Sequence, residues 1–238
     1  MTLSLREQPV PESPLSRWDA RWKLAGLGLF SIGVALMQTP LAAGVALVIG
    51  LALVVVARLT LRTTFARLGL FALAVSPVLV VFPLVAGWTG FWDGVTIVLR
   101  CLAIGAAGLV LVGTAPVHRT LSAARALGVP GLLVHLSQLT YRYTHLLAAE
   151  YRRVRVAMRA RGFRPRVNGL TYHALGHAAG AVLVRGADRA DRVAHAMRAR
   201  GFDGSYRTLT PFHSHFTDVL SFLAVTAATI ALLVLDRS

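Results

Sequence analysis

Between Leu24 and Ala57 the chain carries no charged residue, and only Gln38-Thr39-Pro40 breaks the apolar run. Runs of this kind constrain the fold most, because a helix crossing the hydrocarbon core needs about 20 mostly apolar residues. Lipid offers the backbone no hydrogen bonds, so spanning segments must satisfy their own N–H and C=O groups. Leu24–Met37 and Leu41–Ala57 are each rather short and form either two spans or a re-entrant pair. Leu68–Ala86 contains Pro77 and Pro83, which a span tolerates as kinks. Gly94–Thr114 follows the aromatic stretch GWTGFWDG, whose Trp88 and Trp92 suit an interfacial belt. Phe216–Leu235 is a fifth candidate. Leu132–Leu147 is partly apolar, but Tyr141, Arg142 and His145 make it a semi-buried segment. The expected fold is an all-α integral membrane protein with about five transmembrane helices.

Composition sharpens this reading. Hydrophobic residues make up 55% of the 238, mean hydropathy is +0.63, yet the net charge is +15 and the pI is 11.6. Residues 116–207 hold 16 arginines against Glu150, Asp188, Asp191 and Asp203, which leaves +12 of the +15 in that block. A nucleic-acid binder would also be basic, but it would not need membrane-length apolar runs. The chain therefore divides into N-terminal spans over 1–114, a basic cytoplasmic and partly membrane-associated region over 115–210, and a C-terminal span over 211–238. The polar, proline-rich stretch before the first span does not read as a signal peptide.

Arginine and lysine in short loops set orientation. Arg17, Arg21 and Lys23 precede the first span, and Arg58, Arg62 and Arg67 separate the second from the third. The Gln38–Pro40 and Gly87–Gly94 loops have neither residue. The expected topology is a multi-pass protein of the plasma (inner) membrane, with the N-terminus and basic block cytoplasmic and the C-terminus outside. Arg100 lies within the fourth span, where an embedded arginine is a functional candidate unless it snorkels or pairs with Asp93 seven residues earlier, the reading favoured here.

The basic block repeats itself. AMRARGF occurs at Ala157–Phe163 and again at Ala196–Phe202, and nine of 15 positions agree between Ala149–Phe163 and Asp188–Phe202. At 3.6 residues per turn, Val154, Ala157, Met158 and Arg161 share a face, as do Val193, Ala196, Met197 and Arg200. Gly162 and Gly201 sit where a helix end wants a left-handed residue. Helix termination, with a cation near the C-terminal dipole, accounts for one Arg-Gly. It does not account for the whole heptapeptide twice, because caps tolerate many sequences. A matched pair of arginine-tipped helix ends suits two equivalent partners or one two-fold partner, held by charge-assisted bonds at Arg161 and Arg200.

With these residues in view, the sequence resembles the transmembrane T component of energy-coupling factor (ECF) ABC transporters. Ala160-Arg161-Gly162 and Ala199-Arg200-Gly201 match that family's two Ala-Arg-Gly motifs. DARWKL at Asp19–Leu24 resembles its Asp-Pro-Arg-x-Lys-Leu segment, departing at Ala20, and Gly113–Pro130, Thr140–Tyr143 and Val184–Gly204 are similar too. The resemblance implies cytoplasmic coupling helices and no catalytic role for this chain. Two ATPase subunits would contact Ala160, Arg161, Gly162, Ala199, Arg200 and Gly201, with Met158 and Met197. ATP and Mg would be bound by those subunits, with no cofactor in this chain. A substrate-capturing membrane S component would complete the complex within the bilayer. The doubled heptapeptide and TYRY look most like the cobalt/nickel branch, the alternative being a shared T component for vitamin uptake.

Other functions fit less well. The only lysine, Lys23, is followed by leucine, so there is no Walker A sequence. His173/His177 and His213/His215 invite a metal-site reading, but no His-Glu-x-x-His pattern accompanies them. Cys101 is alone and packs as a small hydrophobe. Gly176-x-x-x-Gly180 permits close helix packing. A self-contained channel or transporter, or an embedded histidine enzyme, would leave the duplication without a purpose.

Overall fold

The computed structural model is all-helical and describes residue 15 and residues 18–164, 166–202 and 216–237. The described residues form eight helices: α1 (Ala20–Leu36), α2 (Pro40–Val56), α3 (Leu61–Val75), α4 (Val78–Thr114), α5 (Val117–Ala126), α6 (Gly131–Ala160), α7 (Gly169–Ala199) and α8 (Phe216–Arg237). They divide into two compact units, one of α1–α5 with α8 and one of α6 with α7. The polar stretch before Leu15, Asp203, His213 and His215 lie outside the described residues.

In the first unit, Thr64–Val85, Gly87–Thr114 and Phe216–Arg237 are long and apolar enough to cross a membrane, and Pro40–Val56 is a shorter apolar helix. Helix α1 packs against α8 and α4, and α2 packs against α4. The core is built from Leu27, Phe30 and Val34 of α1 and Met37 just after it, with Ala103, Ala106, Ala107 and Val110 of α4. Small residues let the backbones approach: a Cβ at Gly50 would stand 3.3 Å from the Ala103 carbonyl and the Ala106 side chain. Outside this core the polarity is inverted. Leu41, Leu84 and Val85 are 80% or more exposed, a surface that lipid solvates and water does not.

The chain reverses between Thr64–Val85 and Gly87–Thr114 at a single residue. Gly87 takes φ 65 and ψ −142, and the two arms then close until Gly94 would hold a Cβ 3.4 Å from the Phe82 Cβ. The sequence suggests a fourth span starting at Gly94, but the helix resumes directly after Gly87 and includes Trp88–Gly94. One glycine in the left-handed region makes the turn, so no longer loop is needed.

The two ends of this unit carry its polar contacts. At one end Asp19 caps α1, accepting from the Arg21 N–H at 3.0 Å. Lys23, 1% exposed, donates to the Thr114 hydroxyl at 3.1 Å, and that hydroxyl donates to the Val110 carbonyl. Trp18 Nε1 donates to the Asp218 carbonyl. A buried ammonium is costly unless bonded, so these contacts fix where α1, α4 and α8 meet. At the other end Asp236 accepts from the Gln38 and Thr39 N–H groups at 2.7 and 2.8 Å and from the Thr39 hydroxyl. The last turn of α8 therefore caps the start of α2. Arg100 donates to the Ala35 carbonyl of α1 at 3.5 Å, and it forms no ion pair with Asp93.

Candidate functional site

Both copies of the heptapeptide end a helix in the same way. Gly162 (φ 79) and Gly201 (φ 75) adopt the left-handed conformation, and open space surrounds each, so the backbone angle alone selects glycine. Phe163 N–H donates to the Met158 carbonyl at 3.0 Å and Gly162 N–H to Arg159 at 3.0 Å. Phe202 N–H donates to Met197 at 3.1 Å and Gly201 N–H to Arg198 at 3.0 Å. These are paired Schellman caps, which satisfy carbonyls that a helix end would leave open.

Burial matches residue by residue. Val154, Met158 and Phe163 are half-buried, as are Val193, Met197 and Phe202. Ala157, Ala160 and Arg161 are exposed, as are Ala196, Ala199 and Arg200. The apolar stripe expected beside each arginine is thus partly tucked away. The methionines lie under the cap, and the guanidinium groups face outward with no ion pair among the described residues.

A third helix end, unnoticed in the sequence, separates cap from arginine. Helix α5 closes on Ala124-Arg125-Ala126-Leu127-Gly128-Val129, with Gly128 at φ 99. Val129 N–H donates to the Ala124 carbonyl and Gly128 N–H to Arg125, both at 3.1 Å. The same Schellman geometry forms with leucine where the other two ends carry arginine. Arg161 and Arg200 are therefore surplus to the cap. The shared Arg-Ala-x-Gly was the available signal.

Helices α6 and α7 run antiparallel. A Cβ at Gly186 would lie 3.5 Å from the Leu147 side chain, which marks a close approach, and Glu150 is ion-paired with Arg185 beside it. Phe163 lies with Met158, Leu175 and Ala178 around a cavity of about 220 Å³, so the end of α6 meets the early turns of α7. Phe202, at the end of α7, stands 6.0 Å from the ring of His135 in α6. Burial holds the His135 imidazole below its usual 6.5. Arg161 follows Leu147 by 14 residues and Arg200 follows Gly186 by 14, about 21 Å of helix for each arm. An apolar cavity of about 630 Å³ opens between the helices on the Phe202 side, lined in part by Leu136, Tyr143, Leu147, Val182 and Leu183.

Histidines do not converge. His173 and His177 are exposed on α7, and the described residues hold no group of three or more His, Cys, Asp or Glu able to bind a metal.

An all-helical chain with several apolar helices of membrane length, joined to an antiparallel pair of alike-capped basic helices, is a multi-pass membrane protein. The family described as "CbiQ: Cobalt transport protein" matches residues 11–211, and the chain belongs to that family, the transmembrane T components of ECF transporters. Members are non-catalytic membrane subunits, with ATP bound by partner ATPases. The chain is also similar to the "Cobalt transport protein CbiQ" of Rhodobacter capsulatus, at 34% identity over 115 residues. That alignment covers 48% of this chain and 46% of the relative, so it spans less than half the relative's length.

Proposed function

We propose that this chain is the coupling subunit of an ECF-type importer for cobalt or nickel ions. Two ATPase subunits grip the ends of α6 and α7 in the cytoplasm, and an S component packs on the membrane side over the apolar groove between them. The observation that carries this reading is the near two-fold arrangement of the tips. Leu147 and Gly186, where the helices meet, are separated by the 39 positions that also separate the two heptapeptides. Equal arms with equal caps fit a partner made of two equivalent halves.

Arg161 and Arg200 anchor the grip through charge-assisted bonds to acidic groups on the ATPases. Ala160 and Ala199 leave room for close approach, Gly162 and Gly201 fix the turn, and Met158 and Met197 support the tip from beneath. Closure of the ATPase pair on ATP favours one separation of the tips over another. That difference in binding free energy is what the chain passes to the S component.

The contact of Asp236 with Gln38 and Thr39 places the C-terminal end beside a loop without arginine or lysine. This supports a C-terminus outside and coupling helices inside. The test is co-purification from detergent-solubilised membranes. The Arg161→Ala/Arg200→Ala double variant loses both ATPase subunits; full retention overturns the reading.

A further inference from the structure

The point where α6 and α7 meet holds a charge pair that the duplication does not explain. Glu150 is the only acidic residue of α6 and sits among Arg152, Arg153 and Arg155. Arg153 approaches at 3.7 Å from one turn away, but the closer partner is Arg185, across on α7. The Glu150 side chain is 21% exposed, and Arg185 lies one residue before Gly186, which Leu147 approaches closely. The 39-residue offset carries Glu150 onto Arg189 and Leu146 onto Arg185, so the pair has no counterpart on the other side of the crossing. Asp188, Arg189 and Arg192 line the adjoining groove.

The geometry points to Glu150 and Arg185 as positioning residues that fix the angle at which the two coupling helices cross. Phe163 and Phe202 hold the two ends, but at the crossing itself packing on a glycine supplies proximity with little rotational restraint, because Leu147 meets a residue without a side chain. A carboxylate and a guanidinium have directional hydrogen-bond geometry, so a pair beside the contact resists scissoring. Each tip stands about 21 Å from the crossing. A ten-degree change of angle would move a tip by roughly 4 Å on such an arm. Rigidity at the crossing is what lets a motion of the tips reach the rest of the complex instead of being absorbed between them. This inference rests on the coupling reading, although its first readout does not.

The test uses the full chain assembled with its ATPases and S component, with Cys101→Ser and spin labels at Arg159→Cys and Arg198→Cys. Distance distributions between the labels are narrow in the parent and broaden at least twofold in Glu150→Gln and in Arg185→Gln. The swap Glu150→Arg/Arg185→Glu narrows them again. Both single variants retain the ATPase subunits, while 57Co2+ uptake per ATP hydrolysed falls severalfold and recovers in the swap. Unchanged distributions in both single variants overturn the proposal, as does broadening that the swap fails to reverse. Loss of the ATPases from Arg161→Ala/Arg200→Ala reports separately on the coupling reading, so the two failures can be told apart.

Discussion

Leu147 of α6 and Gly186 of α7 meet across the helix pair, and the 39 positions between them are the offset of the two heptapeptides. The contact thus stands 14 residues before Arg161 on one helix and 14 before Arg200 on the other. Filling that point has a defined consequence. Gly186→Ala brings a methyl to ordinary contact distance and is tolerated. Gly186→Phe forces the helices apart and lowers the unfolding midpoint of the purified chain in detergent by an overpacking cost of about 1–3 kcal/mol. Differential scanning fluorimetry distinguishes the two.

The leucine-capped end of α5 predicts what the arginines are for. Arg161→Leu keeps the Schellman cap and changes stability by less than about 0.5 kcal/mol, as for an exposed substitution. Affinity for the ATPases falls by about 2 kcal/mol or more, the loss typical of an interface anchor. Surface plasmon resonance on nanodisc-embedded chain, beside a thermal melt, separates the two effects.

Gly162→Ala and Gly201→Ala behave in the opposite manner. Each puts a Cβ on a residue at φ 79 or 75 without adding a steric contact. The left-handed conformation then costs about 1–2 kcal/mol. Hydrogen exchange of the Phe163 or Phe202 amide accelerates correspondingly, at the substituted end alone.

The Asp236 carboxylate bonds two backbone N–H groups at the start of α2. Removing such a cap costs about 0.5–2 kcal/mol. Asp236→Ala lowers thermal stability by that amount and leaves ATPase co-purification unchanged, because this contact belongs to the unit of spans.

His135 sets a pH dependence on the end of α7. Burial lowers its folded pKa below the usual 6.5, so the neutral imidazole is the form the fold accommodates. Its contribution is intact above 6.5 and is lost as pH falls through the lower folded value. Amide protection at Phe202 therefore declines as pH falls below 6.5, and His135→Phe removes the decline.

Much of this was legible beforehand. Long apolar runs with few charges mark the spans, and Arg-Gly marks where α6 and α7 stop, because both signals are local: hydrocarbon disfavours charge and a left-handed turn selects glycine. The loop expected over Gly87–Gly94 shrinks to its first residue, since Trp88–Gly94 carries two further glycines and reads as a loop until Gly87 is known to make the turn alone. Helical spacing offers Arg100 either a snorkelling pose or Asp93 as partner, whereas its guanidinium reaches the Ala35 carbonyl. The Glu150–Arg185 pair was invisible for a different reason. Its partners are 35 residues apart on separate helices, and several nearer arginines compete for the same carboxylate.

The most direct measurement is photo-cross-linking from the two tips in the assembled complex. Benzoylphenylalanine at the exposed positions Arg159 and Arg198 leaves Ala160, Arg161, Ala199 and Arg200 in place. The account predicts an adduct with an ATPase subunit from each position, both suppressed by the neighbouring arginine-to-alanine change. Adducts to lipid alone, or an ATPase adduct from only one of the two positions, would contradict it.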